Sequence, residues 1–100
     1  MSLPIITVNS RDEIEETLRN NNHKISSSVV NTIFRNLKNK KKTIPILEMR
    51  ISEENSVYNI FLKRDDLLSS LEKNLKIHEH YEEYEMCSKI IEAIEYLKKT

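Results

Sequence analysis

Residues 44–63 read IPILEMRISEENSVYNIFLK, and this stretch decides the fold. In residues 47–51 (LEMRI), apolar and charged side chains alternate with the two-residue period of a strand that buries one face. Residues 52–56 (SEENS) are typical of a turn, and residues 57–62 (VYNIFL) are typical of a second strand. The stretch therefore predicts an antiparallel β-hairpin with a loop of about four or five residues.

Two helices are predicted before the hairpin. Ser10 is followed three residues later by Glu13, which predicts a capping box at the start of a short helix. Residues 20–23 (NNNH) predict a break, because asparagine favours turns. A second helix follows, with Ser26 or Ser27 as its N-cap and apolar side chains at helical spacing behind it.

Two more helices are predicted after the hairpin. Asp65 or Asp66 is the expected N-cap of the first, and roughly residues 80–99 form the second. The stretch 5–8 (IITV) is β-prone and is a candidate for a third, edge strand. The expected fold is α+β: an antiparallel β-hairpin, with or without that third strand, packed with three to four helices. The last two helices are expected to form an antiparallel pair.

The predicted core collects the apolar side chains that share the inner faces of these elements. Because the chain contains no glycine, any positive φ angle is expected to fall on an asparagine or an aspartate. The predicted core residues are Ile14, Leu18, Val30, Ile33, Phe34, Leu37, Leu47, Met49, Ile51, Ile60, Phe61, Leu62, Leu67, Leu71, Ile90, Ile94 and Leu97.

The composition is that of one small soluble domain covering residues 1–100. Hydrophobic residues make up 38% of the chain, and no apolar run approaches the roughly 20 residues of a membrane helix. The N-terminus lacks the basic and apolar segments of a signal peptide, and a single cysteine, Cys87, excludes an intramolecular disulfide. The sequence therefore predicts a cytoplasmic protein without a membrane partner.

The absence of glycine excludes whole classes of site. Walker and Rossmann loops need glycine where the backbone wraps a phosphate, so neither nucleotide site is predicted and no cofactor is expected. Isoleucine, lysine and asparagine are abundant, and their codons are AT-rich. This bias is typical of a low-GC bacterium or of one of its phages or other mobile elements.

A net charge of zero conceals two blocks of opposite sign. Residues 20–50 carry seven basic and one acidic side chain, whereas residues 65–97 carry nine acidic and three basic ones. Such a chain is expected to bind an acidic partner, a basic partner or a second copy of itself as a homodimer. The alternative interpretation is that both blocks are solvated surfaces that only maintain solubility.

Residues 71–97 read LEKNLKIHEHYEEYEMCSKIIEAIEYL and resemble the UVR motif, a helical hairpin of bacterial excision-repair subunits and of adaptors of stress proteases. His78 replaces a small residue of that motif, and Ile91 replaces its usual arginine. The resemblance implies protein binding or self-association through the helix pair. The matching residues are Leu71, Leu75, Tyr84, Glu85, Cys87, Ser88, Lys89, Ile90, Glu92, Ile94 and Leu97.

Residues 10–42 (SRDEIEETLRNNNHKISSSVVNTIFRNLKNKKK), followed by the hairpin as a wing, resemble an incomplete winged helix-turn-helix that lacks the usual first helix. The resemblance implies DNA binding, with the second helix in the major groove. The outer face of that helix is expected to present Ser27, Ser28, Asn31, Thr32 and Arg35. The candidate nucleic-acid contacts are Asn31, Arg35, Lys38, Lys40, Lys41 and Lys42.

No catalytic or metal site is predicted from residue spacing. His80, Glu83 and Cys87 would share one helix face, and His78 and His23 are the other candidate zinc ligands, but no paired CxxC or HExxH motif is present. Cys87 is more simply explained as a small apolar side chain in the helix seam. No serine or cysteine has a histidine at a spacing that selects it as a nucleophile.

The predicted function is that of a small non-enzymatic interaction module, or of an inhibitor or regulator, that binds a protein partner through its acidic C-terminal helix pair. One of Tyr81 and Tyr84 is expected in the core, and either is a candidate anchor for the partner. The alternative is a DNA-binding transcriptional regulator that uses the winged-helix-like basic region 26–63. The candidate protein-binding residues are Tyr81, Glu82, Glu83, Tyr84, Glu85 and Glu92.

Overall fold

The computed structural model describes residues 3–99, and Met1, Ser2 and Thr100 of the predicted domain lie outside the described residues. The fold is α+β, as predicted. The strands are β1 (Ile5–Val8), β2 (Thr43–Ile51) and β3 (Ser56–Lys63). The helices are α1 (Ile14–Asn20), α2 (Asn22–Asn36), α3 (Leu67–His80) and α4 (Tyr84–Lys99), with α3 and α4 in contact as the predicted C-terminal pair.

The three strands form a mixed sheet in the order β1-β2-β3. The antiparallel hairpin of β2 and β3 is confirmed, and a four-residue loop, 52–55, connects its strands. The candidate edge strand is also confirmed: β1 runs parallel to β2, with Ile6 opposite Met49. The parallel pairing requires a crossover, which α1 and α2 supply between β1 and β2.

Two clusters of buried side chains hold the fold together. The first joins α2, α3 and α4 with the start of β2, and its members are Val29, Val30, Ile33, Ile44, Leu67, Leu71, Ile90, Ala93 and Ile94. The second lies on the inner face of the sheet, and its members are Ile6, Val8, Leu47, Met49 and Ile51. Ile25 and Ile46 pack against both clusters, so the helical layer and the sheet form one continuous interior.

Two residues predicted in the core are exposed instead. Ile60 pairs with Leu47 on the inner face of the sheet, yet 39% of its surface is exposed, because β3 is an edge strand that the helices leave largely uncovered. Phe61 pairs with Pro45, and 56% of its surface is exposed. The prediction of a core position is therefore wrong for Ile60 and Phe61, and β3 is apolar without being covered.

The connection between the first two helices is shorter than predicted. Only Asn21 separates α1 from α2, because its side-chain Nδ2 and its backbone N–H both donate to the carbonyl of Thr17 and close the turn there. His23 therefore lies inside α2. Ser26 is a buried residue in the middle of that helix, so the prediction of Ser26 or Ser27 as its N-cap is wrong.

The predicted side-chain caps of the other helices are also wrong in detail. Neither Ser10 nor Asp66 makes a side-chain capping hydrogen bond. Ser10 precedes a single turn of 3-10 helix, Arg11–Glu13, whereas Asp66 is the last residue of another such turn, Arg64–Asp66, which leads into α3. Glu13 Oε2 accepts instead from the backbone N–H of Asn9, 3.3 Å away.

The predicted last helix is present as α4, but it begins at Tyr84 rather than near residue 80, because the α3–α4 turn, 81–83, precedes it. Asn55 has a positive φ of 52°, which agrees with the expectation for asparagine. Glu82 has a φ of 57°, so the expectation that positive φ falls only on Asn or Asp is wrong there. A glutamate in this left-handed conformation costs free energy that glycine would not.

Candidate functional site

The chain turns at the end of α3 and places Glu83 beside the last turn of that helix. The backbone N–H of Glu83 donates to the carbonyl of His78, and the N–H of Glu82 donates to that of Glu79, both at 3.0 Å. These two bonds and the left-handed Glu82 form a Schellman motif, the usual helix ending in which glycine is preferred. The motif brings the Glu83 carboxylate beside the ring of His78.

Two histidines converge on one oxygen of that carboxylate. Glu83 Oε1 lies 2.9 Å from His78 Nδ1 and 2.6 Å from Nε2 of His23, which the first turn of α2 supplies. His78 is fully buried, whereas His23 and Glu83 are each partly open to solvent. The hydrogen bonds from His23 and, second, His78 hold the pKa of the Glu83 carboxyl below its usual value. We call these three residues the histidine cluster.

A second layer of polar side chains fixes the orientation of His78. Asn74 Nδ2 donates to the carbonyl of Ser70, so its Oδ1 faces Ser26 and accepts the Ser26 hydroxyl proton. Ser26 Oγ can then only accept from His78 Nε2, which lies 3.1 Å away. His78 therefore carries a proton on Nε2, and its Nδ1 atom faces Glu83.

The order Ser26, His78, Glu83 is that of a catalytic triad, which no spacing in the sequence indicated. However, Ser26 is buried, and its proton is donated to Asn74 rather than to the histidine. The serine oxygen is thus neither reachable by a substrate nor activated by a base. The chain of hydrogen bonds orients His78 and joins α2 to α3.

The side chains that lie close to Glu83 in the structure differ from those that the helical spacing placed beside it. His80 and Cys87 do not join the histidine cluster, because the α3–α4 turn interrupts the helix face on which both were placed. Cys87 is buried in the helix seam, as its simpler interpretation expected, and burial raises the pKa of its thiol. A usable signal for the cluster was present: Ser26 and His78 are polar residues at buried helix positions.

Tyr81 and Tyr84 are both exposed, so the expectation that one of them is in the core is wrong. Tyr81 lies in the α3–α4 turn, and its ring stacks on that of His23 with 4.1 Å between centroids. Tyr84 begins α4 and is 70% exposed. With Glu82 and Glu85 they form an exposed acidic and aromatic surface, which we call the acidic turn.

The other two candidate protein-binding residues differ in their surroundings. Glu83 lies in the same turn and lines a groove with Tyr84 and Glu85, but its Oε1 atom is engaged in the histidine cluster. Glu92 lies further along α4, beside a groove that Lys38 and Lys89 also line. Of the two, only Glu92 is therefore separated from Glu82 and Glu85.

The candidate nucleic-acid residues are exposed at the other end of α2. Asn31 and Arg35 lie on that helix, and Lys38, Lys40, Lys41 and Lys42 follow it in the loop to β2. Thr32 is buried, with its hydroxyl donating to the carbonyl of Ser28, so its predicted place on the outer face is wrong. Arg64 fixes the loop by donating to the carbonyls of Asn36, Leu37 and Lys41 and to Oδ1 of Asn39.

The acidic turn and the lysines that follow α2 lie at opposite ends of one helix layer. His23, at the start of α2, contacts Glu83, whereas Lys38, just beyond its end, lies 6.0 Å from the ring centre of Tyr96 in α4. A helix of the length of α2 spans about 22 Å. The acidic turn and the lysine loop, 38–42, are therefore separated by more than a Debye length at physiological salt.

The third exposed feature is β3 itself. No other strand of the described range pairs with its outer edge, and Lys63, at its end, is its single charged residue. Val57 is 58% exposed, and Tyr58 and Ile60 are also exposed. On the inner face of the sheet, an apolar groove of about 340 Å³ runs from Tyr58 and Ile60 to Ile14 and Leu18 of α1.

Within residues 3–99, no helix combines the length and the apolar character needed to cross a membrane. Comparisons of the chain with protein-family models, with curated proteins and with solved structures find no match.

Proposed function

We propose that this protein is a non-enzymatic interaction protein, and that strand β3 binds an extended segment of a protein partner. The observation that carries the proposal is the exposure of an apolar edge strand on both of its faces. Phe61 and Val57 are exposed, and Tyr58 and Ile60 border the groove on the inner face.

Edge strands of monomeric proteins are normally protected by charges, prolines, bulges or a covering element. The outer edge of β3 has one terminal lysine and no covering strand among the described residues. An added strand would pair with its free backbone groups, and alternate side chains of that strand would enter the groove. This mode of binding needs no catalytic group.

The test places a photoactivatable phenylalanine analogue at position 61, in β3. A second variant carries the analogue at position 85, in the acidic turn, and a control carries it at position 16, an exposed position of α1. The purified variants are cross-linked in an extract of the organism that encodes the chain. We expect a discrete protein adduct from position 61 and none from position 16.

The same experiment distinguishes the surfaces. An adduct formed only from position 85 would favour the acidic turn, as the sequence analysis predicted, and would contradict binding at β3. An adduct of twice the chain mass, together with a concentration-dependent sedimentation coefficient, would identify a second copy as the partner. No adduct from either position would contradict the proposal.

DNA binding is the second candidate function, and the separation of the acidic turn from the lysine loop favours it. A neutral protein can approach DNA only if its acidic surface points away, and the acidic turn lies at the far end of α2 from the lysine loop. Lysines of this loop would neutralise phosphates, so affinity should fall steeply as salt increases.

Fluorescence anisotropy of a labelled mixed-sequence duplex tests this candidate. We expect binding at low salt, and each lysine changed to glutamine in the loop should reduce the slope of log K against log salt by about 0.9. Lys73→Gln, on exposed α3, is the matched control. No binding at low salt would remove DNA as a partner.

A further inference from the structure

We propose that the histidine cluster binds a divalent transition-metal ion, Zn²⁺, where α2 meets the α3–α4 turn. The candidate ligand atoms are His23 Nε2, His78 Nδ1 and Glu83 Oε1, and all three lie within 4.8 Å of one another. In a tetrahedral site with bonds of about 2.0–2.2 Å, neighbouring ligand atoms are about 3.3–3.6 Å apart. Because His23 and Glu83 are partly exposed, their side chains have room to adopt that spacing.

The donor set selects the class of ion. Two imidazole nitrogens with one carboxylate oxygen suit Zn²⁺, whereas Mg²⁺ and Ca²⁺ prefer ligand sets made of oxygen. The chain supplies three ligands here, and the solvent side of the cluster, at His23 and Glu83, leaves a fourth position for water. An ion bound here would lie between Glu83 Oε1 and the two ring nitrogens, which that oxygen now contacts directly.

The surroundings of His78 resemble those of a metal-binding histidine. Such a histidine usually donates its second ring N–H to an oxygen, which fixes the tautomer and the ring orientation. Here Nε2 donates to Ser26, whose hydroxyl is held by Asn74, so Nδ1 is the atom presented to Glu83 and His23. This buried arrangement is in place without the ion.

The backbone also pre-organises the third ligand. Glu82 adopts its costly left-handed conformation immediately before Glu83, and the N–H of Glu83 is fixed to the carbonyl of His78. Strained backbone of this kind persists where the surrounding structure determines it, and it is concentrated at binding sites. Bound Zn²⁺ would link α2 to a turn some 60 residues later in the chain.

The test begins with protein freed of metal by a chelator, which is then removed by dialysis. Calorimetric titration with zinc chloride should show uptake of one ion per chain. His23→Gln should weaken binding by at least about 100-fold, since even residues that only support a ligand contribute 10- to 100-fold. His80→Gln is the matched control, because His80 is exposed and lies outside the cluster, and it should bind as the wild type does.

Circular dichroism establishes that each variant is folded. If His23→Gln does not fold, Glu83→Gln replaces it, and the NMR signals of the wild-type rings give an independent measurement. Zn²⁺ should shift the ring signals of His23 and His78 and leave those of His80 unchanged. Failure of the wild type to bind Zn²⁺, or equal losses in His80→Gln and His23→Gln, would overturn the proposal. Neither result bears on the protein-binding proposal, because β3 contributes no ligand.

Discussion

The Nε2 atom of His78 lies 3.1 Å from the hydroxyl oxygen of Ser26, inside the interface between α3 and α2. Both residues are buried, and the hydroxyl also donates a hydrogen bond to Asn74 Oδ1. The main contact between these two helices therefore includes a hydrogen-bonded polar chain as well as apolar packing. Such a chain is stabilising only while every member keeps its partners.

Removing the Ser26 hydroxyl should destabilise the fold more than its size suggests. Ser26→Ala leaves the His78 ring nitrogen and the Asn74 oxygen without that partner in a buried site, at a cost of about 1–3 kcal/mol. Urea unfolding followed by circular dichroism measures the change. Ser28→Ala, in the same helix, is the control and should change stability by less than about 0.5 kcal/mol. Equal effects of the two substitutions would contradict the assigned network.

Glycine at position 82 should stabilise the protein. Glu82 has a φ of 57°, which costs an ordinary residue about 1–2 kcal/mol, whereas the added freedom of glycine in the unfolded chain offsets part of that gain. We expect Glu82→Gly to raise the free energy of unfolding by roughly 0.5–1 kcal/mol and the Tm, measured by calorimetry, by about 2–8 °C. Asn55→Gly should gain less, because asparagine tolerates this conformation. A lower Tm for Glu82→Gly would mean that the left-handed turn is absent in solution.

Two isoleucines of the hairpin should respond very differently to truncation. Ile44 is fully buried in the helical cluster, so Ile44→Ala should cost about 2–5 kcal/mol. Ile60 lies on the exposed edge strand, so Ile60→Ala should lower the free energy of unfolding of the monomer by about 1 kcal/mol or less. Chemical denaturation at low protein concentration makes the comparison. A loss at Ile60 as large as that at Ile44 would show that β3 is covered in solution.

Cys87 should react slowly with alkylating reagents while the protein is folded. Burial, and then the nearby carboxylates of Glu79 and Glu83, raise the pKa of the thiol, so less of the reactive thiolate exists at a given pH. We expect iodoacetamide to modify the folded protein more than about tenfold slower than the urea-unfolded chain at the same pH. Mass spectrometry gives both rates. Similar rates in the two states would contradict the buried position of Cys87.

The parts of the fold that were predictable depend on local patterns. The alternation in residues 47–51 identifies β2 because a strand with one buried face imposes it directly on the sequence. The exposure of Ile60 and Phe61 was not predictable in this way, since the same apolar pattern suits a central strand and an edge strand. Only the order of the strands in the sheet decides between the two.

Sequence reasoning named His23, His78 and Glu83 as candidate ligands but did not bring these three together, for a related reason. Its three members come from α2, the end of α3 and the following turn, and the packing of the helices brings them together. Moreover, Glu82 is a residue type that rarely takes a positive φ, so the helix appeared continuous through the turn. The resemblances to the UVR motif and to a winged helix-turn-helix stay predictions.

The parallel pairing of β1 with β2 also determines when the sheet can be completed during synthesis. Ile5 pairs with Glu48, so β1 leaves the ribosome long before the strand that receives it has been translated. The hairpin, in contrast, joins segments made in immediate succession and closes over four loop residues. Strand β1 can therefore pair with β2 only after α1, α2 and β2 have been synthesised. We expect this long-range pairing to slow folding.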